Sequence, residues 1–142
     1  MSTQNHTDAA STPAVAAVLA AADKIVADFG AHNTAAYFAG FSADASFMFY
    51  THTERLDSRA AYEVLWAKWE SEDGFKVHGC KSSNQLVQLI AADAAVFSHN
   101  VESSIEFGGE VSTVLERETI VFALIDGVWL AVHEHLSPAT VL

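Results

Sequence analysis

The stretch Glu116–Ser137, ERETIVFALIDGVWLAVHEHLS, is the strongest indication of the fold of this chain. It contains two runs rich in β-branched and aromatic residues, separated by the dipeptide Asp126-Gly127. Asp-Gly favours a two-residue turn whose twist matches that of the flanking strands, so the stretch predicts a β-hairpin. Side chains alternate between the two faces of a strand. One face of this hairpin is therefore expected to carry Arg117, Thr119, Trp129, His133 and His135.

The opposite face of the hairpin is apolar through its middle and carries Ile120, Phe122, Leu124, Val128, Leu130 and Val132. An apolar stripe of this size is too large to be left in contact with water. We therefore expect one face to cover helices and a cavity, and the other face to meet a second subunit. This arrangement predicts a homodimer that forms through the outer face of the sheet.

The residues before the hairpin predict three helices and one short strand. Thr12-Pro13 is typical of a helix start, and apolar residues then recur at helical spacing to Phe29, with Gly30 ending the helix. The other predicted elements are a helix over Asn33–Phe41, a strand over Ser46–Tyr50, and a helix from a cap at Asp57 or Ser58 to about Glu70. Asp57 is the favoured cap.

Long strands follow Gly74. They are predicted over Phe75–Ile90 with a bulge at Gly79, over Ala94–Phe107, over Val111–Ile125 and over Val128–Leu136. Helices first and strands afterwards indicate an α+β fold. A curved antiparallel sheet should wrap around the three N-terminal helices and leave a conical cavity, which is the natural place for a ligand.

The composition of the chain excludes several classes of function. Among 142 residues, 7 Lys+Arg stand against 18 Asp+Glu, which gives a net charge of −11. Nucleic acids and anionic membrane surfaces both need a cationic patch, so neither is expected as a partner. The most apolar early run, Ala14–Ala22, is too short to cross a bilayer. The single cysteine, Cys80, cannot close an intrachain disulfide, and we expect a cytoplasmic location.

The chain is predicted to hold one domain, at residues 13–137. Residues 1–12 are polar and rich in small side chains, and we expect them to be disordered. Residues 138–142 are expected to form a C-terminal tail.

The hairpin resembles a known family. Arg-x-Thr at residues 117–119, Gly-x-Trp at 127–129 and His-x-His-x-Ser at 133–137 resemble the SnoaL-like family of the nuclear transport factor 2-like superfamily. Its relatives include ketosteroid isomerase, polyketide cyclases and the association domain of calcium/calmodulin-dependent kinase II. The resemblance covers about Pro13–Ser137. It implies a cone-shaped α+β fold, a homodimer formed through the sheet, and a pocket between sheet and helices.

The resemblance also implies which residues line this pocket. Arg117 and His133 should point into it, with His135 deeper or nearer the rim. An inward arginine suits a small carboxylate or enolate, because guanidinium binds such groups through two hydrogen bonds. The alternative for Arg117 is a surface position between Glu116 and Glu118.

Three further residues are candidates for the same pocket. Tyr50 and His52 end the first predicted strand on a shared face, and Trp66 is a candidate for the cavity wall. For His52 an exposed loop position is an equal alternative. Burial in the core is the alternative for Trp66.

Metal and cofactor sites have little support in the sequence. His133 and His135 could share a metal ion only if His78 or His99 supplied a third ligand, and paired strand histidines without metal are commoner. No Gly-rich phosphate loop, GxSxG or HExxH motif is present. We therefore expect neither a metal nor a cofactor.

These observations predict a small-molecule-binding protein with a candidate acid–base activity of isomerase, cyclase or hydrolase type. His133 or Tyr50 would transfer the proton, since an imidazole is suited to this near neutral pH. Arg117, His135, Trp66 and His52 would bind the ligand, an unknown small anionic or aromatic molecule. The alternative is a non-catalytic binding or oligomerisation module.

Overall fold

The computed structural model describes residues 12–139. Its elements are helices α1 (Pro13–Gly30), α2 (Thr34–Ala39) and α3 (Arg59–Asp73), and strands β1 (Phe41–Phe49), β2 (Lys76–Ala91), β3 (Ala94–Phe107), β4 (Glu110–Ile125) and β5 (Val128–Pro138). The strands form one sheet in the order β1-β5-β4-β3-β2. Strand β1 runs parallel to β5, and the other neighbours are antiparallel. The predicted α+β fold is confirmed, with a mixed sheet.

Helix α1 begins where the sequence predicts. The Thr12 hydroxyl accepts a hydrogen bond from the Val15 amide at 3.2 Å, and Pro13 occupies the first turn, where a missing N–H costs nothing. Gly30 is the last helical residue rather than a left-handed cap. Its role is close packing, because a Cβ at this position would lie 2.9 Å from the backbone nitrogen of Cys80 in β2.

Strand β1 begins five residues earlier than predicted. Helix α2 ends at Ala39, and Phe41 belongs to the strand rather than to the helix. The Ala131 amide donates to the Gly40 carbonyl at 2.9 Å, which ties the start of β1 to β5. Phe47 and Phe49 then turn toward the core.

Helix α3 differs from the prediction at both ends. Ser58, not Asp57, is the N-cap, and its hydroxyl accepts a hydrogen bond from the Ala61 amide at 3.1 Å. The helix continues past Glu70 to Asp73. Gly74 then adopts a left-handed conformation with φ of 62°, and the Phe75 amide donates to the Trp69 carbonyl at 3.1 Å, which ends the helix.

The hairpins follow the turn signals of the sequence. Gly108-Gly109 joins β3 to β4 and Asp126-Gly127 joins β4 to β5, and all four residues have positive φ, as this turn type requires. The predicted irregularity at Gly79 is present in β2. A further bulge lies in β5, where Phe122 is opposite Ala131 but Val121 is opposite His133. Val132 is therefore the extra residue.

The core lies between the helices and one face of the sheet, and its largest fully buried side chains are Trp66, Phe41, Phe47, Phe97 and Phe122. No helix within residues 12–139 is long and apolar enough to cross a membrane. Most of the predicted N-terminal segment 1–12, and the last three residues of the predicted tail 138–142, lie outside the described residues.

Candidate functional site

A cavity of about 300 Å³ lies between the helices and the inner face of the sheet. Its walls are mainly apolar and aromatic: Ile25, Val26, Phe29, Phe49, Trp69, Phe75, Val101, Ile105, Phe107, Val114 and Leu136. A concave, mostly apolar site with a few polar groups is the usual form of a small-molecule site. The polar groups of this cavity are therefore the candidate functional residues.

A chain of buried polar side chains crosses the inner face of the sheet. Glu118 on β4 lies opposite His99 on β3, and His99 Nε2 is 2.7 Å from Glu118 Oε1. The other ring nitrogen of His99, Nδ1, is 2.6 Å from Ser82 Oγ. Glu118 also shares a hydrogen bond with Glu134 of β5. His99 is only 3% exposed and Glu134 only 4%.

The two carboxyl groups have opposite pKa shifts. Burial raises the pKa of Glu134 well above its ordinary value, and the negative charge of Glu118 raises it further. Burial also tends to raise the pKa of Glu118, but hydrogen bonds with Glu134 and His99 outweigh this effect and lower it. Two adjacent carboxylates cannot both ionise cheaply, so they titrate as a pair. The opposite shifts assign the proton of the pair to Glu134, which donates it to the Glu118 carboxylate.

Two phenols also line the cavity. The Tyr37 and Tyr62 hydroxyls are 3.0 Å apart, and both residues are 3% exposed. Burial, followed by the nearby Glu134, raises the pKa of each phenol well above its ordinary value, so both stay protonated. One of the two hydroxyl groups donates its hydrogen to the oxygen of the other. Within residues 12–139 the second O–H has no acceptor, so it is a hydrogen-bond donor available to a ligand.

Tyr50 and Glu116 form a further pair in the cavity lining. The Tyr50 hydroxyl donates to Glu116 Oε2 at 2.7 Å. Partial burial and this bond raise the pKa of Tyr50 to about 12, and burial raises the pKa of Glu116. Cys80 also lines the cavity. Its thiol accepts from the Ser103 hydroxyl at 3.6 Å, and burial raises its pKa to about 11, so it is a weak nucleophile.

Among the six residues predicted from the sequence, Tyr50 is the one that lines this cavity. Arg117 and His135 share a face as predicted, but it is the outer face of the sheet, where both border a second hollow of about 380 Å³. His133 lies on the same outer face, with its Nδ1 2.8 Å from Ser46 Oγ. The expected inward orientation of these three side chains is therefore wrong.

For His133 and His135 the physical reason is the bulge in β5, whereas Arg117 faces outward because regular alternation along β4 puts it on the face opposite to the buried Ile120 and Phe122. The simple alternation of β5 placed Trp129, Ala131, His133 and His135 on one face. The extra residue Val132 breaks this alternation, so Ala131 packs in the core while His133 and His135 turn outward. Glu134 consequently faces the cavity. Whether His133 or Tyr50 has a catalytic role stays a prediction.

The remaining two predicted residues lie elsewhere. Trp66 is fully buried and packs in the core rather than in the cavity wall, and its indole N–H donates to Thr34 Oγ1 at 3.2 Å. His52 is half-buried after β1, where its backbone N–H donates to the Phe49 carbonyl, and it does not line the cavity.

Sequence reasoning missed most of the polar residues of the cavity. Glu134 and Tyr37 are not among the candidates that the sequence indicates. Glu118 enters there only as a neighbour of Arg117, and His99 only as a third metal ligand. One signal was available, because Glu134 alternates with Val132 and Leu136 along the strand, and an acidic residue on such an apolar face needs an explanation. Within residues 12–139 no three His, Cys, Asp or Glu side chains are grouped to hold a metal ion.

Comparison with known proteins gives one family match. A family model described as a SnoaL-like domain matches residues 18–141. No curated protein sequence matches the chain significantly.

Solved structures with the same fold are numerous and distant in sequence. A ketosteroid isomerase-like protein from Erwinia carotovora atroseptica has a TM-score of 0.76 at 16% identity, covering 92% of this chain and 99% of that one. A protein named for the calcium/calmodulin-dependent protein kinase II association domain, from Xanthomonas campestris, has a TM-score of 0.69 at 22% identity, covering 88% and 87%. A protein with a cystatin-like fold from Nostoc punctiforme has a TM-score of 0.67 at 12% identity, covering 90% and 92%. Others are NTF2-like proteins. At these identities the likeness shows the fold.

Proposed function

Because the chain belongs to the SnoaL-like domain family, we propose that it binds a small apolar molecule in the cavity between sheet and helices and catalyses proton transfer on it without a cofactor. One observation carries this proposal. A hydrogen-bonded pair of carboxyl groups, Glu118 and Glu134, is held at the inner face of an otherwise aromatic cavity.

The two glutamates have different roles: Glu118 supplies a base and Glu134 an acid. Glu118 is ionised and can accept a proton from a C–H group next to a carbonyl. The electron pair of that C–H bond then moves into the carbonyl, and negative charge develops on its oxygen. The free phenolic O–H of the Tyr37–Tyr62 pair can donate a hydrogen bond to this oxygen. Return of the proton to another carbon would complete an isomerisation.

His99 is a positioning residue in this proposal. Its imidazole holds Glu118 by one nitrogen and Ser82 by the other, which fixes the carboxylate between β3 and β5. Orientation of a catalytic group by a second hydrogen-bonded side chain is a common feature of active sites.

The test is deuterium exchange in D2O. A panel of aromatic and alicyclic ketones, including amino ketones, is incubated with the protein, and deuterium uptake next to the carbonyl is followed by NMR. We expect uptake with at least one ketone class, and a loss of about 100-fold or more in Glu118→Gln, since general bases contribute about 10²–10⁴-fold.

Two variants separate this assignment from the one based on sequence. Arg117→Ala and His133→Ala change the outer face of the sheet and should leave exchange unchanged. If either abolishes exchange while Glu118→Gln does not, the carboxyl pair is not the catalytic group. If ligands bind in the cavity but none exchanges, the protein is a binding protein rather than an enzyme.

We also propose that the protein is a homodimer through the outer face of the sheet. This face carries exposed apolar side chains, among them Met48, Leu86, Val111 and Leu115. Proteins named for kinase association domains, a name that implies assembly, share the fold. Assembly alone is therefore the second candidate function.

We propose a cytoplasmic location. It is supported by the free thiol of Cys80, which a reducing compartment preserves.

A further inference from the structure

We propose that the cavity binds a hydrophobic amine, whose ammonium group pairs with Glu116 while its apolar body extends toward Glu118 and Glu134. The inference rests on the proposed function, because it names the ligand class of the same cavity. It replaces the anionic ligand that the sequence suggested.

The first support is the charge of the lining. Three carboxyl groups, those of Glu116, Glu118 and Glu134, line the cavity, and its described lining contains no lysine or arginine. The single arginine of β4, Arg117, lies on the other face of the sheet. An anion entering this cavity would lose its hydration and meet charge of its own sign. A cation would meet charge of the opposite sign.

The second support is the state of Glu116. The carboxylate of its neighbour Glu118 is stabilised by hydrogen bonds with His99 and with the protonated Glu134. Glu116, in contrast, is bonded to the neutral phenol of Tyr50. Within residues 12–139 no Lys, Arg or His nitrogen lies within 4.0 Å of the Glu116 carboxylate. A half-buried carboxylate without a cation is costly to keep ionised. A ligand ammonium group would supply the missing charge.

The third support is geometric. Glu116 and Glu118 are two residues apart on the same face of β4, which separates their Cα atoms by about 7 Å. When the ammonium group of a ligand is bound at Glu116, the carboxyl pair therefore lies next to a part of the same ligand several bonds away from its nitrogen. The ring of Tyr50, which is bonded to Glu116, can also attract a cation through its face.

The free phenolic O–H adds a feature of the ligand. A buried donor without an acceptor is unfavourable, so the ligand should place an oxygen near Tyr37 and Tyr62. Together these contacts describe an aromatic or alicyclic amine with a carbonyl or hydroxyl oxygen at some distance from its nitrogen.

The experiment uses three probes on one carbon skeleton: 2-naphthylmethylamine, 2-naphthylmethanol and 2-naphthoate. Their dissociation constants are measured by isothermal titration calorimetry near pH 7. We expect the amine to bind at least about tenfold more tightly than the alcohol, as a hydrogen bond to a charged group would give, and the carboxylate to bind most weakly. In Glu116→Gln the advantage of the amine should disappear while the alcohol binds as before.

The matched control is Glu110→Gln, which removes the same charge from an exposed position of the same strand. It should leave the preference for the amine intact. Equal affinities of amine and alcohol in the unaltered protein, or equal losses in the two variants, would overturn the amine assignment and leave the proposed function standing.

The indole N–H resonance of Trp69 reports whether a probe occupies the cavity, because Trp69 lines it and Trp129 does not. We expect the Trp69 signal to shift and the Trp129 signal to stay in place. Binding without a shift of Trp69, or no binding by any probe, would overturn both the amine assignment and the cavity as the ligand site.

Discussion

Glu134 shows how one residue can set the chemistry of a cavity. Its partners on the two neighbouring strands are apolar, and it is buried between Ile120 on β4 and Phe47 on β1. A carboxylate in such a place would need a cation, and its bonded neighbour is instead a second carboxyl group, Glu118. Keeping one proton between the two groups avoids the cost of two adjacent charges.

Replacing Glu134 should change how stability depends on pH. Because its pKa is raised on folding, the folded state binds more protons than the unfolded chain above about pH 4.3, the ordinary pKa of glutamate. The free energy of unfolding should therefore fall as pH rises toward the raised pKa, by up to about 1.4 kcal/mol per pH unit. In Glu134→Gln, whose amide still donates to Glu118, this contribution disappears. Urea unfolding at pH 6, 7 and 8 measures the difference.

Glu110→Gln again serves as the control, because Glu110 is exposed. The lowered pKa of Glu118 does not confuse the result, since its contribution is lost only as pH falls below the usual range of a carboxyl group. Parallel pH profiles for Glu134→Gln and the unaltered protein would contradict a protonated Glu134.

At the scale of elements, two local details position the cavity. The bulge at Val132 turns Glu134 inward, and the close contact of α1 with β2 brings Ile25, Val26 and Phe29 against the cavity. The contact of α1 with β2 depends on Gly30. A helix can approach a strand backbone this closely only where no side chain stands between them.

Gly30→Ala should therefore destabilise the protein. The added Cβ would lie 2.9 Å from the Cys80 nitrogen and 3.2 Å from its Cβ, so helix or strand must move. Overpacking costs about 1–3 kcal/mol, and the better helix propensity of alanine offsets about 1 kcal/mol of it. We expect a net loss of up to about 2 kcal/mol in urea unfolding.

Gly79→Ala is the matched control on the facing strand. A Cβ at Gly79 meets no atom within 4 Å, and its backbone does not require glycine. This variant should be neutral or slightly stabilising, by about 0.4–1 kcal/mol. Equal effects of the two substitutions would show that the close contact does not limit the packing of α1.

At the scale of the whole molecule, the sheet separates two environments. Its inner face holds the carboxyl pair and the phenols, and its outer face carries Arg117, His133 and His135 beside exposed apolar side chains. A face with this mixture of apolar and polar groups suits an interface between two copies.

Leu115→Glu should break the proposed dimer. Leu115 is 57% exposed on the outer face, so a glutamate costs the folded monomer little but would be buried without a partner in a dimer. Analytical ultracentrifugation should show monomers for this variant and dimers for the unaltered protein.

Val64→Glu introduces the same charge at a side chain of α3 that is 71% exposed and lies away from the sheet, and it should stay dimeric. Dimers of Leu115→Glu as stable as those of the unaltered protein would place the interface elsewhere. A monomeric unaltered protein would contradict the dimer itself.

The order of the helices and strands, the hairpin at Asp126-Gly127 and the family resemblance could all be predicted from the sequence, because these depend on local periodicity and on turn residues. Boundaries were less accurate where neighbouring residues compete for one role, as Asp57 and Ser58 do for the cap of α3.

Which polar side chains meet in the cavity could not be predicted from the sequence and depends on the packing of the whole chain. One extra residue in a strand reverses the facing of every residue beyond it, and nothing in the local sequence around Val132 marks where that residue is inserted. Glu118 and Glu134 are brought together by the pairing of β4 with β5, and His99 joins them from β3. Their shared proton is a consequence of burial, which depends on packing across the whole fold rather than on any motif.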